Sequence, residues 1–150
     1  MAYTQLTASE REDLRDIAGT MVPASPELGM PGADDPAILA DIEKSIGRDL
    51  PLVREALAAI KARAVGGFAG LNRDRREALI NEWYRAAGRP AAALGRAILS
   101  AYYRDDRVLV AVGHEARAPF PKGYTLEQGD RSLLEAVKKR PAFWRDDRKR

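Results

Sequence analysis

One histidine, His114, and no cysteine stand among the 150 residues, and this inventory bounds the chemistry open to the chain. A Cys/His zinc site needs three or four thiolate or imidazole ligands, which this sequence cannot supply. A Ser-His-Asp triad would have to be built on His114, and no serine sits in the glycine-flanked setting of a nucleophile elbow. His114 follows Gly113, a helix-ending residue, so a surface or interface histidine is the simpler reading. The acidic pairs Asp34-Asp35, Asp105-Asp106 and Asp146-Asp147 offer oxygen ligands for a hard cation. They lack the alternating ligands and the glycine of a calcium loop, and the first two stand where helix N-caps are expected. Gly66-Gly67-Phe68-Ala69-Gly70 follows a helical pattern rather than a strand and lacks the lysine-serine/threonine ending of a phosphate loop. It reads as a helix stop. No catalytic set, metal site or cofactor site is therefore expected in this chain. A stand-alone enzyme would need a site of unrecognised pattern.

The elements that position these residues are helical. With 45% hydrophobic and 31% charged residues the chain has the balance of a folded domain rather than a disordered one. Thr7 and Glu10 have capping-box spacing, and Leu14, Ile17, Ala18, Met21 and Val22 mark one helical face up to Pro23. After a Pro/Gly loop over 23–35, Asp35-Pro36 restarts a helix lined by Ile38, Leu39, Ile42 and Ile46, which Gly47 ends. A third follows Asp49 and Pro51 through Leu52, Val53, Ala56, Leu57 and Ile60. Asn72 caps a fourth, whose apolar spacing is Ala78, Leu79, Trp83 and Ala86, with Glu82 in the same register, closed by Gly88. Pro90 begins a fifth through Ala97, Ile98, Ala101 and Tyr102. Asp105 or Asp106 caps a short turn of helix over Val108–Val112, a strand being the rival with no second strand to pair it. Asp130 caps a last short helix over Leu133, Leu134 and Val137. The expected fold is all-α: about five main helices in a scaffold over 1–113, and an extension over 114–150 with a long irregular arm, a short helix and a basic tail.

The net charge of +3 is unevenly spread: residues 1–60 hold 5 basic and 11 acidic side chains, and residues 61–150 hold 20 and 11. Arg73–Glu77 and Arg145–Arg150 are the nucleic-acid candidates, but interleaved acids repel phosphate at both places. A basic helical nucleic-acid-binding protein stays as the alternative class. The longest apolar run, Val108–Val112, is far short of a membrane span. The first ten residues lack the basic and apolar regions of a signal peptide, so a cytoplasmic location is expected.

Residues 114–130 have neither helical nor strand period, yet carry Phe120, Tyr124 and Leu126. Irregular segments of this length are usually functional. Aromatics among basic residues have the composition of a binding surface. The residues expected to meet a partner are Arg117, Pro119, Phe120, Pro121, Lys122, Tyr124 and Leu126, with Tyr103 and Trp144 beside them.

A family resemblance points the same way. Leu6–Pro23, with its leucine-threonine start, amphipathic helix and Thr20-Met21-Val22-Pro23 ending before a Pro/Gly loop, resembles the opening of the gluconate 2-dehydrogenase subunit 3 family. Phe68–Leu71, Ala101–Leu109 and Pro119–Asp130 continue the match, so the resemblance covers most of the chain. It implies a non-catalytic, chaperone-like small subunit of a bacterial oxidoreductase complex. Its partner would be a large glucose-methanol-choline-type flavoprotein that carries FAD and oxidises a sugar, glycoside or alcohol, sometimes joined by an electron-transfer subunit. Several family members carry a twin-arginine export signal. None stands here, so a periplasmic location would need a trimmed signal or one on the partner.

Overall fold

Helix α1 (Ala8–Met21) starts where the Thr7/Glu10 spacing predicts. The Glu10 amide donates to Thr7 Oγ1 at 3.2 Å and the Thr7 amide donates to Glu10 Oε2 at 2.7 Å. This reciprocal cap satisfies two of the four amides that a helix start leaves free. The computed structural model describes residues 5–64, 66–118, 122–123 and 125–141. They fall into two compact units, Met1–Ala116 and Arg117–Arg150, and no strand occurs among the described residues.

In the first unit α2 (Pro36–Ser45) is capped by Asp35, whose Oδ1 accepts from the Ala37 amide at 2.9 Å. A 3-10 turn over Gly47–Asp49 leads directly into α3 (Leu50–Arg63), with Gly47 at φ +51°, where a side chain would be strained. Asn72 caps α4 (Arg73–Ala86) by accepting from the Arg75 amide at 3.0 Å. Then come α5 (Arg89–Tyr102) and the short α6 (Asp106–Ala111).

Helix α5 is the centre of the packing. It lies mainly against α2 and α3, while α1 packs on α3 and α4. Its buried positions are Ala91, Ala93, Leu94, Gly95, Ala97, Ile98, Ala101 and Tyr102. Five of these eight carry no more than a methyl group, which lets neighbouring backbones come close. Gly95 is the tightest place: a Cβ there would stand 2.7 Å from the Tyr84 hydroxyl oxygen. The α1, α2, α3 and α5 faces read from periodicity are the ones that meet, with Leu14, Ile17, Ile38, Ile42, Val53, Leu57, Ile60 and Ile98 in one cluster. Among the described residues no charged side chain is buried, and the polar groups in the core are those of Tyr102 and Trp83.

Helix α4 departs in part from the expected register. Trp83 is buried and Leu79 partly so, as the spacing predicts, but Ala78, Glu82 and Ala86 are exposed and Ile80 takes an inner place. The Arg76 guanidinium lies 5.4 Å from the Phe68 ring centroid and donates to the Leu71 carbonyl (2.9 Å) and the Ala69 carbonyl (2.5 Å). An arginine that covers an aromatic ring acts as part of an inner face, and alanine fits either side of a helix.

The run Val108–Val112 is helical through Ala111, with Val108 fully buried and Val110 62% exposed. It closes with Gly113 at φ +83°, where the His114 amide donates to the Leu109 carbonyl (2.9 Å) and the Gly113 amide to the Val110 carbonyl (3.0 Å). That is the double bond of a glycine-terminated helix. In the second unit Asp130 accepts from the Ser132 amide at 2.9 Å and opens a 3-10 turn, Arg131–Leu134, which runs into α7 (Glu135–Lys138). Leu133, Leu134 and Val137 are exposed there.

Ile98→Ala removes a fully buried side chain at the α5 contact and should cost about 2–4 kcal/mol. Leu99→Ala, one residue along on the open side, should cost less than about 1 kcal/mol. Urea denaturation of the two variants checks this, and a larger loss for Leu99→Ala would mean that α5 is turned about its axis.

Candidate partner-binding surface

The Pro/Gly loop over 23–35 is folded on itself. Ser25 and Met30 exchange both backbone hydrogen bonds at 3.0 Å, around a 3-10 turn at Pro26–Leu28 and Gly29 at φ +65°. The buried Tyr102 hydroxyl donates to the Pro31 carbonyl at 3.1 Å, and the Ala33 amide donates to the Val22 carbonyl at 2.9 Å. Burial raises the Tyr102 pKa, which keeps its hydroxyl a donor. The loop therefore stands at fixed height over the bundle and presents Leu28, 66% exposed, near its tip.

Tyr103, the one predicted partner residue in the first unit, is 55% exposed, with its ring edge-on to Tyr102 at 5.3 Å. Leu99, one turn earlier on the same side of α5, is also exposed. It forms part of a groove of about 490 Å³ whose apolar lining is Met21, Val22, Pro23, Ile80 and Tyr84. Thr20 and Asn81 supply neutral polar groups, and the Arg73–Glu77 ion pair (2.7 Å) stands at its edge. The sequence analysis did not single out Leu99 or Tyr84. No spacing along the chain marks them, because their exposure depends on how α4 and α5 pack.

Three predicted residues of the arm lie among the described ones. The Arg117 guanidinium donates to the Ala118 carbonyl (3.1 Å) and the Gly123 carbonyl (2.9 Å), which curls the segment around its own backbone. Lys122 is exposed, and Leu126 is 78% exposed. Pro119, Phe120, Pro121, Tyr124 and Trp144 lie outside the described residues.

His114 is exposed, and its amide closes α6. Of the arginines in the 73–77 cluster, Arg73 is paired with Glu77 and Arg76 is turned onto Phe68 and the loop carbonyls. Asp35 and Asp105 cap α2 and α6 and also share one arginine. Arg107 Nη1 and Nη2 donate to the two Asp35 oxygens at 3.0 and 2.9 Å, and Nε and Nη2 donate to Asp105 at 2.9 Å each. These hydrogen bonds from Arg107 hold the Asp35 carboxyl down to about 2, and that of Asp105 is lowered for the same reason. Among the described residues no three His, Asp or Glu side chains gather as metal ligands do. Comparison of the chain with protein-family models, curated proteins and solved structures gave no match.

The Asp35–Arg107–Asp105 clasp gives the stability a defined acid limb. Both folded carboxyl pKa values are depressed, so their contribution is complete above the unfolded value of about 4. It is lost as pH falls from there toward 2. Asp35→Asn keeps a capping side chain but removes the charge facing Arg107. It should lower stability at pH 7 by about 1 kcal/mol, a value discounted for partial exposure, and shrink the difference between pH 7 and pH 3. Urea midpoints at the two pH values measure this. An unchanged pH difference in the variant would mean that Asp35 is not the responsible group.

Proposed function

We propose that the chain is the small, non-catalytic subunit of a flavin-dependent dehydrogenase, binding and stabilising a large glucose-methanol-choline-type subunit that carries FAD. The observation that carries the reading is the uncovered Leu99–Tyr103 row of α5 beside its apolar groove. A folded monomer gains nothing by leaving a leucine and a tyrosine open on its central helix, whereas covering the half of each that is still exposed yields about 1 kcal/mol apiece. The resemblance of Leu6–Pro23, Phe68–Leu71 and Ala101–Leu109 to the gluconate 2-dehydrogenase subunit 3 family supplies the kind of partner.

In this reading the bundle is a rigid platform. Leu99, Tyr103 and the groove make one patch, and Leu28 at the tip of the 23–35 loop makes a second. Leu126 and the aromatic residues of the arm make a third, with Arg117 and Lys122 near acidic groups at the rim. The prolines at 119 and 121 limit the conformational freedom that the arm loses on binding. The oxidation itself, the flavin and the electron acceptor belong to the large subunit. The chain's part is to hold that subunit in its FAD-loaded form.

Co-expression with the glucose-methanol-choline-type flavoprotein of the same organism, followed by purification through a tag on the small chain, tests the reading. Flavin absorbance should co-elute with the tag. Tyr103→Asp combined with Leu99→Asp should reduce the retained flavin by about tenfold or more, since two buried anchors are replaced by unpaired charges. Deletion of 114–130 should do the same with helicity by circular dichroism preserved. A flavoprotein that folds, holds FAD and elutes without the small chain overturns the proposal.

A further inference from the structure

A second cleft lies on the other side of α4, and its chemistry differs from that of the Leu99 groove. About 460 Å³ in volume, it runs between the end of α3 and α4. Ala64, Leu71, Ala78 and Leu79 supply its apolar lining, and Arg63, Arg75 and Glu82 its charges. Ala78, which the apolar spacing places inside, is exposed on the helix that buries Ile80 and Trp83, and it opens onto this cleft.

Neither arginine of the cleft is met by a carboxylate among the described residues. Arg11, Arg54, Arg73, Arg96, Arg104 and Arg107 are each met by a carboxylate within 3 Å. Arg63 is bonded only to the Ala59 carbonyl one turn back, at 2.9 Å. The Arg75 side chain has no hydrogen-bond or ion-pair partner among the described residues, and it projects from the first turn of α4, where the helix dipole also favours negative charge. Glu82 stands two turns further along α4, about 10 Å from Arg75. The rim is therefore cationic at Arg63 and Arg75 and carries its one acid at a distance, over an apolar floor.

We infer that this cleft docks an acidic, leucine-bearing helical segment of a partner polypeptide. Leucines would enter the floor between Leu71 and Leu79, and a carboxylate would be taken by Arg63 and Arg75 in the bidentate geometry that guanidinium favours. The segment lies with its acidic end toward the start of α4, because the opposite direction sets that carboxylate against Glu82. Nucleic acid is disfavoured here, since the cleft floor offers alkyl groups and no aromatic face on which a base could stack. The inference does not rest on the flavoprotein reading. It holds for any partner that carries such a segment.

The test uses the full chain and two fluorescein-labelled helical peptides of 14 residues, alike except that one flanks its leucine face with glutamate and the other with lysine. Fluorescence anisotropy should show the glutamate peptide binding at least tenfold tighter. Amide chemical-shift changes should centre on Leu71, Ala78 and Leu79. The variant Arg63→Gln/Arg75→Gln should lose the discrimination between the peptides, while its circular dichroism stays unchanged. A third peptide with every leucine replaced by serine should bind at least tenfold more weakly than the leucine form. Three results overturn the inference: equal binding of the first two peptides, discrimination that survives the double substitution, or shift changes confined to the basic residues 138–150. Binding of the serine peptide as tight as that of the leucine form also overturns it, because it shows a polyanion site.

Discussion

The contact between α5 and the α2–α3 pair is the one on which the rest of this bundle depends. Small side chains at Ala91, Ala93, Gly95, Ala97 and Ala101 set how near α5 can come, and Leu94 and Ile98 fill the space that remains. Apart from the Tyr102 hydroxyl, which donates to the Pro31 carbonyl, and the Trp83 indole, the buried side chains among the described residues are apolar. The specificity of the packing must come from shape and from charges placed around the edge. Arg96 in the middle of α5 reaches Asp49 at 2.6 Å, and Arg104 just beyond its end reaches Asp41 at 2.6 Å. Arg107, on α6, reaches back to Asp35 at the start of α2. Three arginines from one stretch of chain thus fix the angle at which the helix lies over its two supports.

That arrangement changes the meaning of the charge asymmetry. Acidic residues crowd the first 60 positions and basic ones the remainder, a pattern that suggests an anionic partner when read along the chain. In three dimensions Asp13, Asp35, Asp41 and Asp49 of the first part meet Lys61, Arg107, Arg104 and Arg96 of the second. The asymmetry is in large part internal complementarity between the two halves of a bundle. Exposed pairs of this kind contribute little stability one at a time, about 0–1 kcal/mol. What they contribute is register, because a wrong docking of α5 would leave like charges opposed.

Much of this was legible in the sequence, and the reason is local. Caps at Thr7, Asp35, Asn72, Asp105 and Asp130 depend on side chains bonding amides two or three residues away, so spacing alone reveals them. The faces of α1, α2, α3 and α5 are marked by branched aliphatic residues that have only one place to go. Helix α4 was legible in part: Trp83 lies inside as its spacing suggests, while the alanines and the glutamate of the same register face out and Ile80 lies inside, with Arg76 covering the Phe68 ring. The clasp between Arg107 and Asp35 spans 72 positions, and no periodicity reports such a pair. Of the surface, Tyr103 was visible as an aromatic residue at a helix end. Leu99 and Tyr84 were not, since exposure is settled only when the neighbouring helices are in place.

The same geometry explains why the open apolar row on α5 cannot be absorbed by the fold. A helix turns by about 100° per residue, so Leu99 and Tyr103 lie roughly 100–140° around from Ile98. Turning α5 far enough to bury them would carry Leu94 and Ile98 into water, exchanging two fully buried side chains for two half-buried ones. The same rotation would pull Arg96 and Arg104 off Asp49 and Asp41 and drive the Tyr84 ring out of its seat over Gly95. The packing that makes the bundle stable and the surface that it leaves uncovered are therefore one solution, fixed by the order of residues along a single helix. A substitution that hid Leu99 and Tyr103 by re-registering α5 would dismantle the platform that presents them, which is the sense in which this exposed row is built into the protein.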